Sequence, residues 1–414
     1  MFPSAVALTD RRVSERYCAA RPNECRRVTY CADANCYCQL GFGRRRKTIK
    51  KLERSCSERR CEFGCVRLQT GASCYCGNGL ELQEDGRTCR DHDECGDYGT
   101  CSQICMNTLG SYRCSCADGF SLQANRRSCK AKTDPGDRPP LLLMANLKSI
   151  WVTYLNGSSV PNLKPTDTNG TQALDFIHRD ETICWLQTSK TAGQLWCAKL
   201  TKLKGISEKR QIRIAQNLQH VEHMALDWLT GNFYFVDRVS DRIFACSEKA
   251  DTCVTIVELD LQNPRGIALD PAAGKLFFSD YGSVAKLERC GLDGSERGRI
   301  VESRMEQPTA LTLDLVRKLV YWADTYLDII EVVDYDGKNR HTIIRGNLVS
   351  HLYGLALFED YLFVTCSDPS RGSKVDVLRI NRFNSSDVHP VSTQETSGAV
   401  RVYHRLAQPA GELR

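Results

Sequence analysis

The sequence predicts a mainly β chain: two small disulfide-rich modules, then a six-bladed β-propeller. Two observations predict it. A six-cysteine frame occurs twice in tandem before residue 130, and a strand–turn–strand motif then recurs every 42 to 44 residues. A tandem cysteine frame marks modules too small to hold a core alone, and a period of that length marks propeller blades.

At 414 residues the chain has room for several domains. Of its 23 cysteines, 17 lie at or before Cys129, a density that belongs to an oxidising compartment. Zinc is the rival use for so many thiols, but the C-x2-C pairs it favours are absent. The net charge of +6 is unevenly spread: residues 1–55 hold 13 Lys and Arg against five Asp and Glu. The body is therefore near neutral, which argues against a nucleic-acid partner. Residues 1–55 show no readable pattern. They hold five cysteines (Cys18, Cys25, Cys31, Cys36 and Cys38) and the basic run 43–54, and are expected to be a poorly ordered, unassigned segment. The first 16 residues lack the apolar core of a signal peptide, and no stretch approaches the ~18 apolar residues of a membrane span. Set against the cysteines, this implies a fragment of a longer protein or a misassigned start.

The first frame is Cys56, Cys61, Cys65, Cys74, Cys76 and Cys89, with gaps of 4, 3, 8, 1 and 12 residues. The second is Cys95, Cys101, Cys105, Cys114, Cys116 and Cys129, with gaps of 5, 3, 8, 1 and 12. Spacing alone leaves 15 pairings open in each. Residues 130–139 form a Pro-containing linker.

From residue 140 to 405 the repeat takes over. "MALDWLTGNFYFVD" (224–237), "IALDPAAGKLFFSD" (267–280) and "LTLDLVRKLVYWAD" (311–324) each read apolar-x-Leu-Asp, a turn, and an aromatic pair closing on Asp. Cys366 holds the closing slot in a weaker copy, the run Cys184–Gln187 holds it upstream, and Asn146 holds it in the first copy. That first copy lacks its "ALD" strand. A spare strand, 398–404, can fill the place and close the ring, removing a sheet edge.

The frames resemble epidermal growth factor (EGF)-like domains, and "YWAD" (321–324) resembles the YWTD repeat of low-density lipoprotein (LDL) receptor class B modules. Two EGF-like modules followed by a YWTD propeller is the order found in LDL receptor-related proteins, and the match looks closest to the amino-terminal propeller region of their giant members. The resemblance implies the pairings Cys56–Cys65, Cys61–Cys74, Cys76–Cys89, Cys95–Cys105, Cys101–Cys114 and Cys116–Cys129. Cys184–Cys197 and Cys246–Cys253 are expected as short bridges within blades, leaving Cys290 and Cys366 as buried thiols. The preceding class A repeats, the following EGF-like module, the membrane anchor and the cytoplasmic tail are not seen. Lys318 also replaces the turn glycine of Gly231 and Gly274.

The acids before Cys95 have a use. Ca2+ takes roughly 6–8 oxygens. The resemblance to calcium-binding EGF-like modules assigns side-chain ligands to Asp91, Glu94 and Asn107, and backbone carbonyls to His92, Thr108 and Ser111. Asp93 would orient them, and Tyr112 would pack against the neighbouring module. Asn107 also fits the β-hydroxylation consensus. The first frame, preceded by Glu53, Arg54 and Ser55, is expected to bind no calcium.

The recurring Asp227, Asp270 and Asp314, with Asp237, Asp280 and Asp324, read as strand and blade fasteners rather than metal ligands. "HVEH" (220–223) reads as a surface loop. Asn156, Asn169 and Asn384 open glycosylation sequons. No nucleophile–base set can be assembled, so no enzyme is expected. The resemblance implies the extracellular or lumenal part of a cell-surface endocytic receptor. It would be monomeric, reach the membrane only through an anchor outside this chain, and bind protein ligands of the lipoprotein or extracellular class. His341 and His351 are candidates for acid-triggered release. The alternatives are a secreted matrix or signalling-modulator protein docking through the propeller, and a lactonase-like enzyme with an acidic metal cluster in the channel.

Overall fold

The computed structural model describes residues 28–32, 35–38, 56–68, 71–133, 138–146, 148–161, 163–168, 170–189, 192–201, 205–207, 209–214, 216–249, 251–346, 349–368, 374–392 and 398–410. Cys18, Cys25, the whole 43–54 run, Ser55 and Asn169 lie outside them. The chain divides into two compact units, Met1–Gly96 with Asn107–Arg113, and Asp97–Met106 with Cys114–Arg414.

In the first unit, Val28–Ala32 pairs antiparallel with Asn35–Cys38. Disulfides join Cys56 to Cys65, Cys61 to Cys74 and Cys76 to Cys89. These bridges hold two hairpins, Gly64–Leu68 with Gly71–Tyr75 and Leu80–Leu82 with Cys89–Asp91. So small a module gains its stability from crosslinks that restrict the unfolded chain. In the second unit, Cys101 bridges to Cys114 and Cys116 to Cys129. Cys95, in the first unit, and Cys105, in the second, are each disulfide-bonded.

The rest of the second unit is a six-bladed propeller. Blades 2 to 6 open on the inner strands Thr171–Ile177, Val221–Leu226, Pro264–Asp270, Pro308–Asp314 and Leu352–Phe358. Blade 1 takes its inner strand from the far end of the chain. Val400–Tyr403 pairs with Leu141–Ala145, Tyr403 opposite Leu141 and Val400 opposite Met144.

The aromatic pair has a packing reason. Successive strand residues face opposite sides of a sheet. Tyr321 therefore enters the core shared with blade 6, and Trp322 the core shared with blade 4. Phe277 and Phe278 divide in the same way between blades 5 and 3, and Tyr234 and Phe235 between blades 4 and 2. Each buried ring contributes roughly 1.5–3 kcal/mol, so a pair ties its blade to both neighbours. The last core, Phe363 with Met144 and Val402, joins blade 6 to blade 1 and completes the circle.

Cys184 and Cys197 are directly opposed and bridged in blade 2, as are Cys246 and Cys253 in blade 3. Cys290 and Cys366 are buried thiols in separate cores. Lys318 adopts the left-handed backbone (φ 56°) that its turn demands. Its ammonium group reaches Asp270 of the preceding blade at 2.7 Å, a contact that a glycine there could not make.

Candidate functional site: the acidic turn, the Arg382 anchor and the channel mouth

The acidic turn lies in the first unit. Asp91 ends the strand Cys89–Asp91, opposite Leu80, and the His92 amide donates to the Gly79 carbonyl at 3.0 Å. The first module's last hairpin thus delivers Asp91. Its two oxygens accept from the Gly110 amide (2.5 Å) and from Asn107 Nδ2 (2.6 Å). The Thr108 hydroxyl donates to the Ser111 carbonyl at 2.8 Å. Asp93 accepts from the Cys95 amide (3.0 Å), capping the turn Glu94–Gly96. Glu94 Oε2 is buried and has no hydrogen-bond partner.

An orphaned buried carboxylate oxygen is costly, and a cation removes that cost. The bonds join Asp91 to Asn107 and Gly110, and Thr108 to Ser111; carboxylate, amide and carbonyl oxygens are the ligands a hard ion takes. Among the described residues, no cluster of three or more His, Cys, Asp or Glu side chains could hold a metal. Tyr112 is half-buried.

In the second unit, residues 97–106 and 114–133 pack on the propeller through a buried guanidinium. Arg382, in the turn between the outer strands of blade 6, donates to Asp314 Oδ2 (2.5 Å), to the Tyr321 hydroxyl (3.1 Å) and to the Ser102 carbonyl (2.7 Å). Burial works against this charge, but Tyr321 and Asp314 outweigh it and raise the Arg382 pKa. The Tyr98 hydroxyl meets that of Tyr321 at 3.0 Å, and burial pushes both phenols up. The Tyr98 ring stacks on His341 with centroids 4.6 Å apart. Ser102 donates to Asp360, and the Ala131 amide donates to Glu359 at 2.9 Å. None of these partners except His341 was singled out from sequence as anything but a repeat residue. His341 lies in this contact, and the His351 amide donates to Asp328 Oδ1 at 3.0 Å.

The recurring acids bind backbone and neighbouring blades. Asp324 accepts the amides of Tyr326 and Leu327 with one oxygen and those of Glu306 and Gln307 with the other. Asp237 accepts from Val239 and Ser240, and Asp280 from Asn263. Asn146 does the same for Lys148 and Ser149 in blade 1. Asp227 caps its own turn, while Asp270 takes Lys318 and Tyr335 from the next blade.

In a four-stranded meander, the loops after strands two and four leave at one end and those after strands one and three at the other. Arg382, Asp314 and Asp360 lie at the second end. At the first end a cavity of about 370 Å³ opens into the channel, with Glu222, His223, Arg265, Tyr281 and Arg401 in its wall. Arg265 pairs with Glu222 and donates to the Tyr281 hydroxyl at 2.9 Å, while Arg238 meets Glu222 at 3.1 Å. Burial, with Arg265 and Arg401 nearby, lowers the His223 pKa to about 4. This corrects the loop reading of 220–223: His223 stands opposite Val236 within the innermost strand of blade 3. The run Met224–Leu226 leading into Asp227 carried the signal, since it is the repeat's own first strand. Five exposed apolar side chains share this end: Val239, Leu259 (76% exposed), Val284, Tyr326 (69%) and Tyr353.

Residues 91–129 match the calcium-binding EGF domain family, and residues 318–359 match the LDL receptor repeat class B. The vitellogenin receptor Yl of Drosophila melanogaster is 31% identical over 360 residues, covering 86% of this chain and 18% of that receptor. The vitellogenin receptor of Solenopsis invicta is 29% identical over 309 residues, covering 75% and 17%. The human low-density lipoprotein receptor-related protein 5-like protein is 25% identical over 192 residues, 46% of this chain and 75% of that protein. A chain in a crystal structure of a nidogen/laminin complex superposes with a TM-score of 0.54 at 21% identity, over 64% of this chain and 98% of that one. TolB from Acinetobacter baumannii gives 0.51 at 7% identity, over 64% and 66%, and both likenesses concern the fold alone.

The two family matches place a calcium-binding EGF domain and a class B repeat in one chain, the second within the propeller. The chain is homologous to the vitellogenin receptors and to the LDL receptor-related protein 5-like protein, and spans less than a fifth of the vitellogenin receptors' length. Two of these relatives are named as receptors.

Proposed function

We propose that this chain is the extracellular, ligand-binding segment of an endocytic receptor of the LDL receptor-related kind. Its ligand is a protein of the lipoprotein class, and it docks on the channel-mouth end of the propeller. The observation that carries this is that five exposed apolar side chains, Val239, Leu259, Val284, Tyr326 and Tyr353, lie at the end where the charged mouth opens, with Tyr353 in its wall. Exposed apolar side chains beside charged ones can serve a protein contact, in which aromatic and Arg anchors supply most of the energy. The domain limits we assign are 56–89 and 91–129 for the two EGF-like modules and 140–405 for the propeller, each chain acting as a monomer. One Ca2+ is held by Asp91, Glu94 and Asn107 with the carbonyls of His92, Thr108 and Ser111, and Asn107 is β-hydroxylated. Cys95 pairs with Cys105. The ion stiffens the acidic turn, and millimolar extracellular calcium keeps it filled.

The test uses purified vitellogenin as the probe on immobilised full chain. Tyr326→Ala with Leu259→Asp is expected to weaken binding at least tenfold. Unchanged affinity in a variant that melts normally sinks this docking end.

A further inference from the structure

We propose that Asn156 carries an N-linked glycan whose first N-acetylglucosamine lies in the cleft walled by Tyr154 and Tyr361. The turn 154–158 joins the outer strands of blade 1. It is closed by two backbone bonds, Gly157 N–H to the Tyr154 carbonyl (2.9 Å) and Tyr154 N–H to the Ser158 carbonyl (3.0 Å). Gly157 sits at φ 83°, and a Cβ there would stand 2.0 Å from the Val391 carbonyl oxygen, so only glycine fits. This pins the turn against blade 6. Asn156 at its tip is exposed, and its Oδ1 accepts from the Ser158 amide (3.0 Å) and hydroxyl (2.6 Å). The carboxamide oxygen is thus committed, and Nδ2 remains as the reactive group.

The second observation is the bed. Tyr154 and Asn156 line one cleft of about 450 Å³, together with Pro140, Glu359, Tyr361 and Arg379. That volume falls within the roughly 300–1,000 Å³ of small-molecule sites. Arg379 covers one face of Tyr361 at 4.7 Å. A pyranose offers a face of C–H bonds to an aromatic ring, whose face is electron-rich, and offers hydroxyl and acetamido groups to polar neighbours. Tyr154, two residues before the sequon asparagine, is placed for the first contact, and Glu359 and Arg379 for the second. Asn384 provides an internal control. Its Oδ1 also accepts from Ser386, but the residue two before it is Arg382, which is buried and engaged.

The transfer balances with a lipid-pyrophosphate-linked oligosaccharide as donor. The Asn156 Nδ2–C1 bond forms as the C1–O bond to pyrophosphate breaks. The pyrophosphate leaves with the electron pair, the amide proton passes to a base of the transferase, and nothing is oxidised or reduced. The proposal rests on the extracellular reading above for its occurrence in the organism, but its test does not.

The full chain is secreted from cultured cells behind an added leader, and glycopeptides at Asn156 and Asn384 are weighed by mass spectrometry. Asn156 is expected to be occupied. Asn156→Gln is expected to lower the melting temperature by about 2–4 °C, and by under 1 °C when Tyr154 is already Leu. Tyr361→Ala provides a second background should Tyr154→Leu fail to fold. A bare Asn156 in the secreted protein overturns the proposal, as does an equal loss in all backgrounds. A natural protein retained in the cytosol would defeat the receptor reading and leave this result standing.

Discussion

The two disulfide modules share one frame and use it differently. Between its second and third cysteines the first module carries Glu62, Phe63 and Gly64, and Phe63 is 62% exposed, edge-on to Tyr75. The second carries Ser102, Gln103 and Ile104 in the same places. There Ser102 is 3% exposed, its carbonyl taken by Arg382 and its hydroxyl by Asp360. Crosslinks set the shape of such a module. In the second module this tripeptide joins Tyr98 and Ala131 in seating the residues around it on the propeller.

The largest expected effect comes from removing the anchor on the propeller side. Arg382→Met leaves Asp314 buried without its partner and frees the Ser102 carbonyl. A loss of about 3–5 kcal/mol is expected in urea unfolding of the second unit. A loss under about 1 kcal/mol would show that the guanidinium is not the joint between module and propeller.

Acid should weaken the propeller next. His223 has a folded pKa of about 4, below the 6.5 of a free imidazole, so the native state holds the neutral ring. The unfolded state therefore binds more protons between those values. The contribution is complete above pH 6.5 and is lost as pH falls toward 4, by up to about 3 kcal/mol at the conversion of roughly 1.4 kcal/mol per pH unit. Melting curves from pH 7 to 4 should flatten in His223→Gln. A parallel decline in the variant would place the acid sensitivity elsewhere.

The smallest effects sharpen the contrast at equivalent positions. Ser102→Ala removes a hydroxyl from a buried carboxylate and should cost about 1–2 kcal/mol. Glu62→Ala loses only an exposed bond to the Cys89 amide, made at 2.6 Å, and should cost about 0.5 kcal/mol or less. Equal costs would mean that the two tripeptides are not used differently.

Much of this was legible in the sequence because it repeats. The period of the closing Asp implied the blades, and the surplus strand at 398–404 implied how the ring shuts. Alternation explains the aromatic pair once the cores are seen. The Arg382 anchor was not legible, since it joins residues 280 positions apart and breaks the repeat rather than following it. His223 was missed because two histidines around a Val and a Glu suggest polarity, whereas the strand is set by the apolar residues that follow. The orphaned oxygen of Glu94 is likewise a fact of burial that no spacing reveals.

The most direct measurement is calorimetric titration of Ca2+ into the chelator-treated chain, wild type beside Glu94→Gln and Asn107→Ala. One ion per chain is expected, with a dissociation constant of about 10⁻⁴–10⁻³ M or tighter, and both variants should bind at least tenfold more weakly. Two ions, none, or full affinity in the variants would contradict a single calcium site at the acidic turn of the second module.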